Sequence, residues 1–219
     1  FEFDTSCLTP SIYRPFTRQW LYYSRTFNEM VYQMPRIFPM GEAKTNRVIC
    51  VGGISDDSGF SVLMMDGLPC LHALRSGQNF PRYLYDGEAE SADDAPQGAL
   101  FATSLGVPGG QRDAITDEGL AHYQAAYPSE AITKDDLFHY VYGLLHSEDY
   151  RARFAENLSK QLPRVPAVKQ AADFWAFVEA GRRLGDLHCD FDSAEPYPVT
   201  IAEGDLRLAN IPDPVQFYR

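Results

Sequence analysis

The sequence predicts an α+β chain, with a β-rich N-terminal half and a C-terminal helical subdomain. Three observations carry this. Before residue 85, aromatic and β-branched residues cluster in short runs broken by Pro and Gly. After residue 113, apolar residues recur at helical spacing behind Ser and Thr cap signals. Between the two lies an acidic stretch that also holds Gly and Pro. The chain has 219 residues, of which 45% are hydrophobic and 13% aromatic. That is enough to bury a sizeable core, in one large domain or two small ones.

Residues 1–85 form the β-rich recognition part. Ile12–Arg14 and Trp20–Tyr23 read as strands separated by a turn at Pro15. Phe27 to Val31 reads as a short helix that Pro35 stops. Arg47–Val51 is an apolar strand ending in Gly52-Gly53, and Phe60–Met65 is another ending at Asp66-Gly67. Leu68–Leu74 and Tyr83–Tyr85 are further strands, and Arg75–Arg82 between them reads as a loop.

Residues 86–112 read as an acidic flexible loop. It is either solvated surface or, alternatively, a DNA mimic or a contact to another domain. Residues 113–190 form the helical subdomain. Thr116 followed by Asp117 and Glu118 opens its first helix. Thr133 with Asp136 is a capping-box variant, after which Phe138, Val141, Tyr142 and Leu145 make one apolar face. Ser147 starts the next helix, where Tyr150, Phe154 and Leu158 recur every fourth residue until Pro163 and Pro166 end it. A further helix runs from about Val168 to Leu187, with Phe174, Phe177, Val178 and Leu184 on one side. Residues 191–219 form a tail, read as a hairpin returning to the sheet.

The formal net charge is −11, which taken alone argues against nucleic acid. The charge is unevenly distributed. Residues 1–85 hold 8 Lys+Arg and 7 Asp+Glu, whereas residues 86–130 hold 1 and 9. Cys7, Cys50, Cys70 and Cys189 are far apart and form no C-x-x-C pair, which predicts reduced thiols and a cytoplasmic location. No apolar run is long enough to span a bilayer, so no membrane partner is expected. The start, Phe1–Asp4, has neither a basic n-region nor Met and reads as a cut end rather than a signal peptide.

Motifs for catalysis are missing. G-x-x-x-x-G-K-[ST], G-x-S-x-G and H-E-x-x-H do not occur. His139 and His146 are seven apart, and His188, Cys189 and Asp190 are adjacent; neither spacing suits a metal, so no metal ligand is assigned. Asp56-Asp57 and Asp93-Asp94 have no Lys or His partner nearby and read as solvated carboxylates. No catalytic residue is assigned, and an independent hydrolase has no motif behind it.

A recognition signature is left. Arg pairs bidentately with guanine or clamps phosphate, and Asn or Gln reads adenine. Arg75, Gln78, Asn79 and Arg82 crowd one short stretch and are the candidate base readers. Arg18, Arg36, Lys44 and Arg47 are the candidate phosphate contacts. Arg14, between Tyr13 and Phe16, reads equally as a stacked structural residue, and the other arginines as surface decoration.

Three blocks carry a family likeness: Ile12–Tyr23, Phe80–Tyr85 and Asp136–Pro166. Together they resemble the C-terminal target-recognition region of the single-polypeptide Type ISP restriction–modification enzymes. The resemblance implies a parent with nuclease, helicase-like ATPase, adenine-N6 methyltransferase and recognition parts in that order. It implies ATP, Mg and S-adenosylmethionine for the parts beyond this chain, and no cofactor within it. No [DN]-P-P-[YF] motif occurs here, so catalysis is expected elsewhere in the parent. The expected partners are double-stranded DNA and the methyltransferase domain of the same polypeptide. The alternative is a docking module for the methyltransferase or helicase domain that reads no bases.

Overall fold

In the computed structural model, residues 2–29, 31–39, 45–53, 59–75, 77–85 and 110–195 are described. The acidic stretch up to residue 109, the carboxylate pairs at Asp56 and Asp93, Lys44 and the tail from 196 lie outside them.

The first strands fall where aromatic and β-branched residues cluster. β1 (Leu8–Arg14) pairs antiparallel with β2 (Thr17–Tyr22), and the tight turn places Phe16 at φ +57. The helix expected at Phe27–Val31 forms instead at α1 (Met34–Ile37). Pro35 sits in its first turn rather than ending it. There the missing N–H has no intrahelical acceptor to lose.

β3 (Val48–Gly52) and β4 (Ser61–Met65) follow as expected. β5 is cut to Leu68–Pro69, because the chain turns at Cys70, whose N–H bonds Ile12. Half of the expected loop at Arg75–Arg82 is a strand, β6 (Gln78–Pro81). Its register follows from pairing with buried β3, an influence the polar residues in the stretch do not reveal. β7 (Tyr83–Tyr85) pairs with β8 (Gln111–Asp113), so the expected loop ends earlier than residue 112.

The central sheet has the order β4–β3–β6. Its side chains alternate between two cores. Ile49, Val51, Val62 and Met64 join the helical core. Val48, Cys50, Leu63 and Met65 join a second cluster with Ile12, Tyr23, Ile37, Phe38 and Leu68 from the β2–β1–β5 side. β3 is therefore buried on both faces, which explains its unbroken apolar run.

In the helical half, α2 (Asp117–Ala126) is capped by Thr116 and α3 (Lys134–Leu145) by the Thr133–Asp136 capping box. α3 is buried nearly all round, not on one face: Leu137, Phe138, His139, Tyr140, Tyr142, Leu144 and Leu145 are all covered. The helix after Ser147 is broken at Phe154 into α4 (Glu148–Arg153) and α5 (Ala155–Leu158). α6 (Ala171–Cys189) starts a little later than expected.

Glycines let α3 and α6 cross closely. A Cβ on Gly181 would lie 2.0 Å from the His139 carbonyl oxygen, and one on Gly143 2.2 Å from that of Phe177. The Tyr142 hydroxyl, on α3, accepts the Met64 N–H of edge strand β4 at 2.9 Å and shares a hydrogen bond with His188 Nδ1 on α6 at 2.5 Å. One hydroxyl thus ties the sheet to both helices.

Between α5 and α6 the chain runs without helix or strand through Pro163 and Pro166. Four tyrosine hydroxyls donate to its carbonyl oxygens. Tyr150 bonds Arg164, Tyr123 bonds Val165, Tyr140 bonds Pro166 and Tyr127 bonds Val168, at 2.5–2.8 Å. All four tyrosines are buried. A buried hydroxyl needs a partner, and this strap supplies one to each.

Candidate nucleic-acid interface

The candidate base readers are arranged around β6. Arg75 closes the turn after β5; it is exposed and has φ +33. Gly77 follows where a Cβ would meet Cys50 Sγ at 2.5 Å. That close seat feeds the chain into β6 beside β3. Gln78 pairs with Val51 and is exposed. Asn79 pairs with Cys50 and is half-buried, and its buried Oδ1 accepts no hydrogen bond from the described residues. Arg82 lies just past β6, half-buried, in an ion pair with Asp135 and over the Tyr83 ring.

The phosphate candidates are spread over the molecule. Arg18 bonds Asp66 at 3.1 Å and the Cys189 carbonyl at 2.8 Å, and reaches Asp192 at 3.5 Å. It thereby neutralises the C-terminal end of α6. Arg47 pairs with Asp186 at 2.6 Å. Arg36 is exposed and bonds only Gln33, at 3.1 Å, among the described residues. The stacked reading of Arg14 matches its place over Tyr13, with a bond to the His72 carbonyl at 2.9 Å. Arg18, Arg47 and Arg82 therefore face internal carboxylates. Arg36, Arg75 and Gln78 keep their polar heads toward solvent.

The structure brings some of these together. Arg36, Gln33 and Asn79 border an apolar groove of about 580 Å³. β6 forms one wall through Phe80 and Pro81, the strap another through Leu162, Pro163 and Val165, and α3 the floor through Phe138, Val141 and Leu145. β6 and the strap thus stand across one groove.

The first turn of α3 is the electrostatic anchor of this face. Asp135 pairs with both Arg82 and Arg182, and Asp136 pairs with Arg182 at 2.7 Å. Burial alone would raise the Asp136 carboxyl, but hydrogen bonds with Thr133 and the Arg182 guanidinium outweigh it and hold the group below its ordinary value. His139, buried behind them, is pushed below its ordinary value by desolvation, against the pull of Asp135. The sequence marked the cap but not these ion pairs, since Arg82 and Asp135 are distant in the chain. The tyrosine-held strap was missed too; its only signals were the Pro163 and Pro166 pair and the density of tyrosines.

Among the described residues, no cluster of three or more His, Cys, Asp or Glu is placed to hold a metal. No helix there is long and apolar enough to cross a membrane.

Comparison with known proteins bears on this face. The Type ISP C-terminal specificity domain family matches residues 1–219. No curated protein matches the chain. Among solved structures, the DrdV–DNA complex aligns over 90% of this chain at 35% identity and TM-score 0.73. A nuclease-deletion mutant of the Type ISP enzyme LlaGI, in complex with a DNA substrate mimic, aligns over 90% at 30% identity and TM-score 0.65. The ATP-dependent Type ISP enzyme LlaBIII bound to DNA aligns over 89% at 28% and TM-score 0.68. The chain covers 17%, 15% and 12% of those three chains, respectively.

Proposed function

Because the chain belongs to the Type ISP C-terminal specificity domain family, we propose that it reads a duplex DNA site for a larger restriction–modification polypeptide and performs no chemistry itself. The observation that carries this is the alignment of 90% of the chain, at 35% identity, with a protein solved on DNA. Nuclease, ATPase and adenine methylation, with their ATP, Mg and S-adenosylmethionine, are assigned to the rest of the parent. This chain has no Gly-Lys phosphate loop of its own to hold a nucleotide.

In this reading Arg75 and Gln78 are the foremost base readers, since both are exposed at the start of β6. Arg offers guanine a two-pronged donor, and Gln offers adenine a donor and an acceptor. Arg36 contacts phosphate. Asn79 is half-buried, and Arg82, Arg18 and Arg47 reach DNA only by leaving their internal partners. The apolar groove supports a second contact, to the methyltransferase domain of the same polypeptide.

The test exchanges this segment between two parent enzymes with different sites and measures which duplex each chimera cleaves. Specificity is expected to follow the segment. Arg75→Ala and Gln78→Ala are expected to lose about 1–3 kcal/mol of discrimination at one base position each. If specificity stays with the recipient, and the parent binds no duplex at low salt, the reading fails and the docking alternative stands.

A further inference from the structure

Arg18, Arg47 and Arg82 of the β-rich half are engaged by carboxylates of the same chain, so counter-charge for a polyanion beyond Arg36 and Arg75 must come from elsewhere. From Asn157 to Ala172 the chain carries Lys160, Arg164 and Lys169 and no Asp or Glu; Glu156 and Asp173 bound the strip. All three cations are exposed. None has an ion pair among the described residues, in contrast to Arg18, Arg47, Arg82 and Arg182.

The strap that carries them is held rigidly, and in a particular sense. Four buried hydroxyls take its carbonyl oxygens, at Arg164, Val165, Pro166 and Val168. The N–H groups of Arg164, Val165, Ala167, Val168 and Lys169 donate to no acceptor among the described residues. Four acceptors are thus consumed inside, while these donors are committed to no described residue and the three cations are exposed. That is the chemistry of a surface for anions. Phosphate oxygens are bound by Lys, Arg and main-chain N–H alike. Because the strap is already fixed, little ordering cost is left for binding. Its middle part, residues 162–168, runs without helix or strand.

We propose that the strap Lys160–Lys169 is a sequence-independent phosphate-contact surface for duplex DNA, standing across the groove from the base-reading strand β6. The inference rests on the DNA-reading role given above.

The test uses the full restriction–modification polypeptide. Lys160→Gln, Arg164→Gln and Lys169→Gln are combined. Binding to a cognate and a scrambled duplex is titrated by fluorescence anisotropy over a salt series. Each phosphate contact contributes about 0.9 to the log–log salt slope. The combined variant is expected to bind both duplexes more weakly, with a slope shallower by about 2 to 3 and an unchanged ratio between them. Lys160→Arg, Arg164→Lys and Lys169→Arg together are expected to keep the parent slope. An unchanged slope in the Gln variant overturns the inference. So does intact DNA affinity with a lowered melting temperature, which would assign the cations to an acidic protein surface. If the parent shows no preference between duplexes, the preceding reading fails first; if it does show one and the slope stays put, this inference fails alone.

Discussion

Replacing Gly181 by alanine tests the close crossing of α3 and α6. A Cβ there would stand 2.0 Å from the His139 carbonyl oxygen and 2.9 Å from the Gly143 nitrogen. Carbon–oxygen contacts settle at about 3.3–3.6 Å, so α3 and α6 must part by more than about 1 Å at the crossing. The obstructing atoms are main chain and cannot swing aside, which places the strain near the upper end of the about 1–3 kcal/mol typical of overpacking. Alanine's better helix propensity returns about 1 kcal/mol. The net loss is about 2 kcal/mol, or a fall in Tm of about 4–8 °C for a chain of this size. Gly119→Ala is the control, because its Cβ would meet nothing nearer than Thr116 Oγ1 at 3.4 Å. It is expected to leave Tm unchanged or raise it slightly. Calorimetric melts of both variants decide the matter. If Gly181→Ala melts with or above the parent, backbone contact does not set the spacing of these helices.

Tyr140→Phe leaves the Pro166 carbonyl without its donor and is expected to cost about 1–3 kcal/mol; limited proteolysis should cut sooner near residue 166, and unchanged digestion would contradict the clamp. Burial holds His139, His146 and His188 below their ordinary 6.5, with His146 down to about 4. The unfolded chain therefore binds these protons more readily, so stability is full above about pH 6.5 and falls as acid approaches pH 4. Urea midpoints at stepped pH should show the decline, and His146→Phe should make it shallower; a flat profile would be inconsistent. Asp136→Ala removes the reciprocal half of the capping box and one of the two carboxylates on Arg182, an expected loss of about 2 kcal/mol at neutral pH. Because that carboxyl sits below its ordinary 3.8, its contribution is present above that value and lost as pH falls through the folded one. The deficit of the variant should therefore close in acid, as chemical denaturation at pH 7 and pH 3 would show.

Local signals were legible in the sequence where they act locally. Thr116, Thr133 and Ser147 cap the helices they were expected to start, and the Thr133–Asp136 reciprocal bonds are both made. β3, β4 and β7 form where apolar residues run together. Non-local effects were not legible. Pro35 fits a helix start as well as a stop, and only the surrounding chain decides which. β6 exists because β3 offers an edge, not because Gln78 and Asn79 favour strands. For the candidate site, residue type pointed to Arg75, Gln78 and Arg36, which are exposed. The same reasoning gave equal standing to Arg18, Arg47 and Arg82, whose carboxylate partners are contributed by distant parts of the chain.

A hydroxyl that grasps a peptide oxygen is indifferent to the identity of the residue it holds. The four tyrosines grip positions 164, 165, 166 and 168 that way. Mutational drift at the outward-facing positions 160, 164 and 169 therefore leaves the anchorage intact. Such a chassis permits the charge shown to a ligand to be rewritten, one codon at a time, while the scaffold beneath keeps its shape.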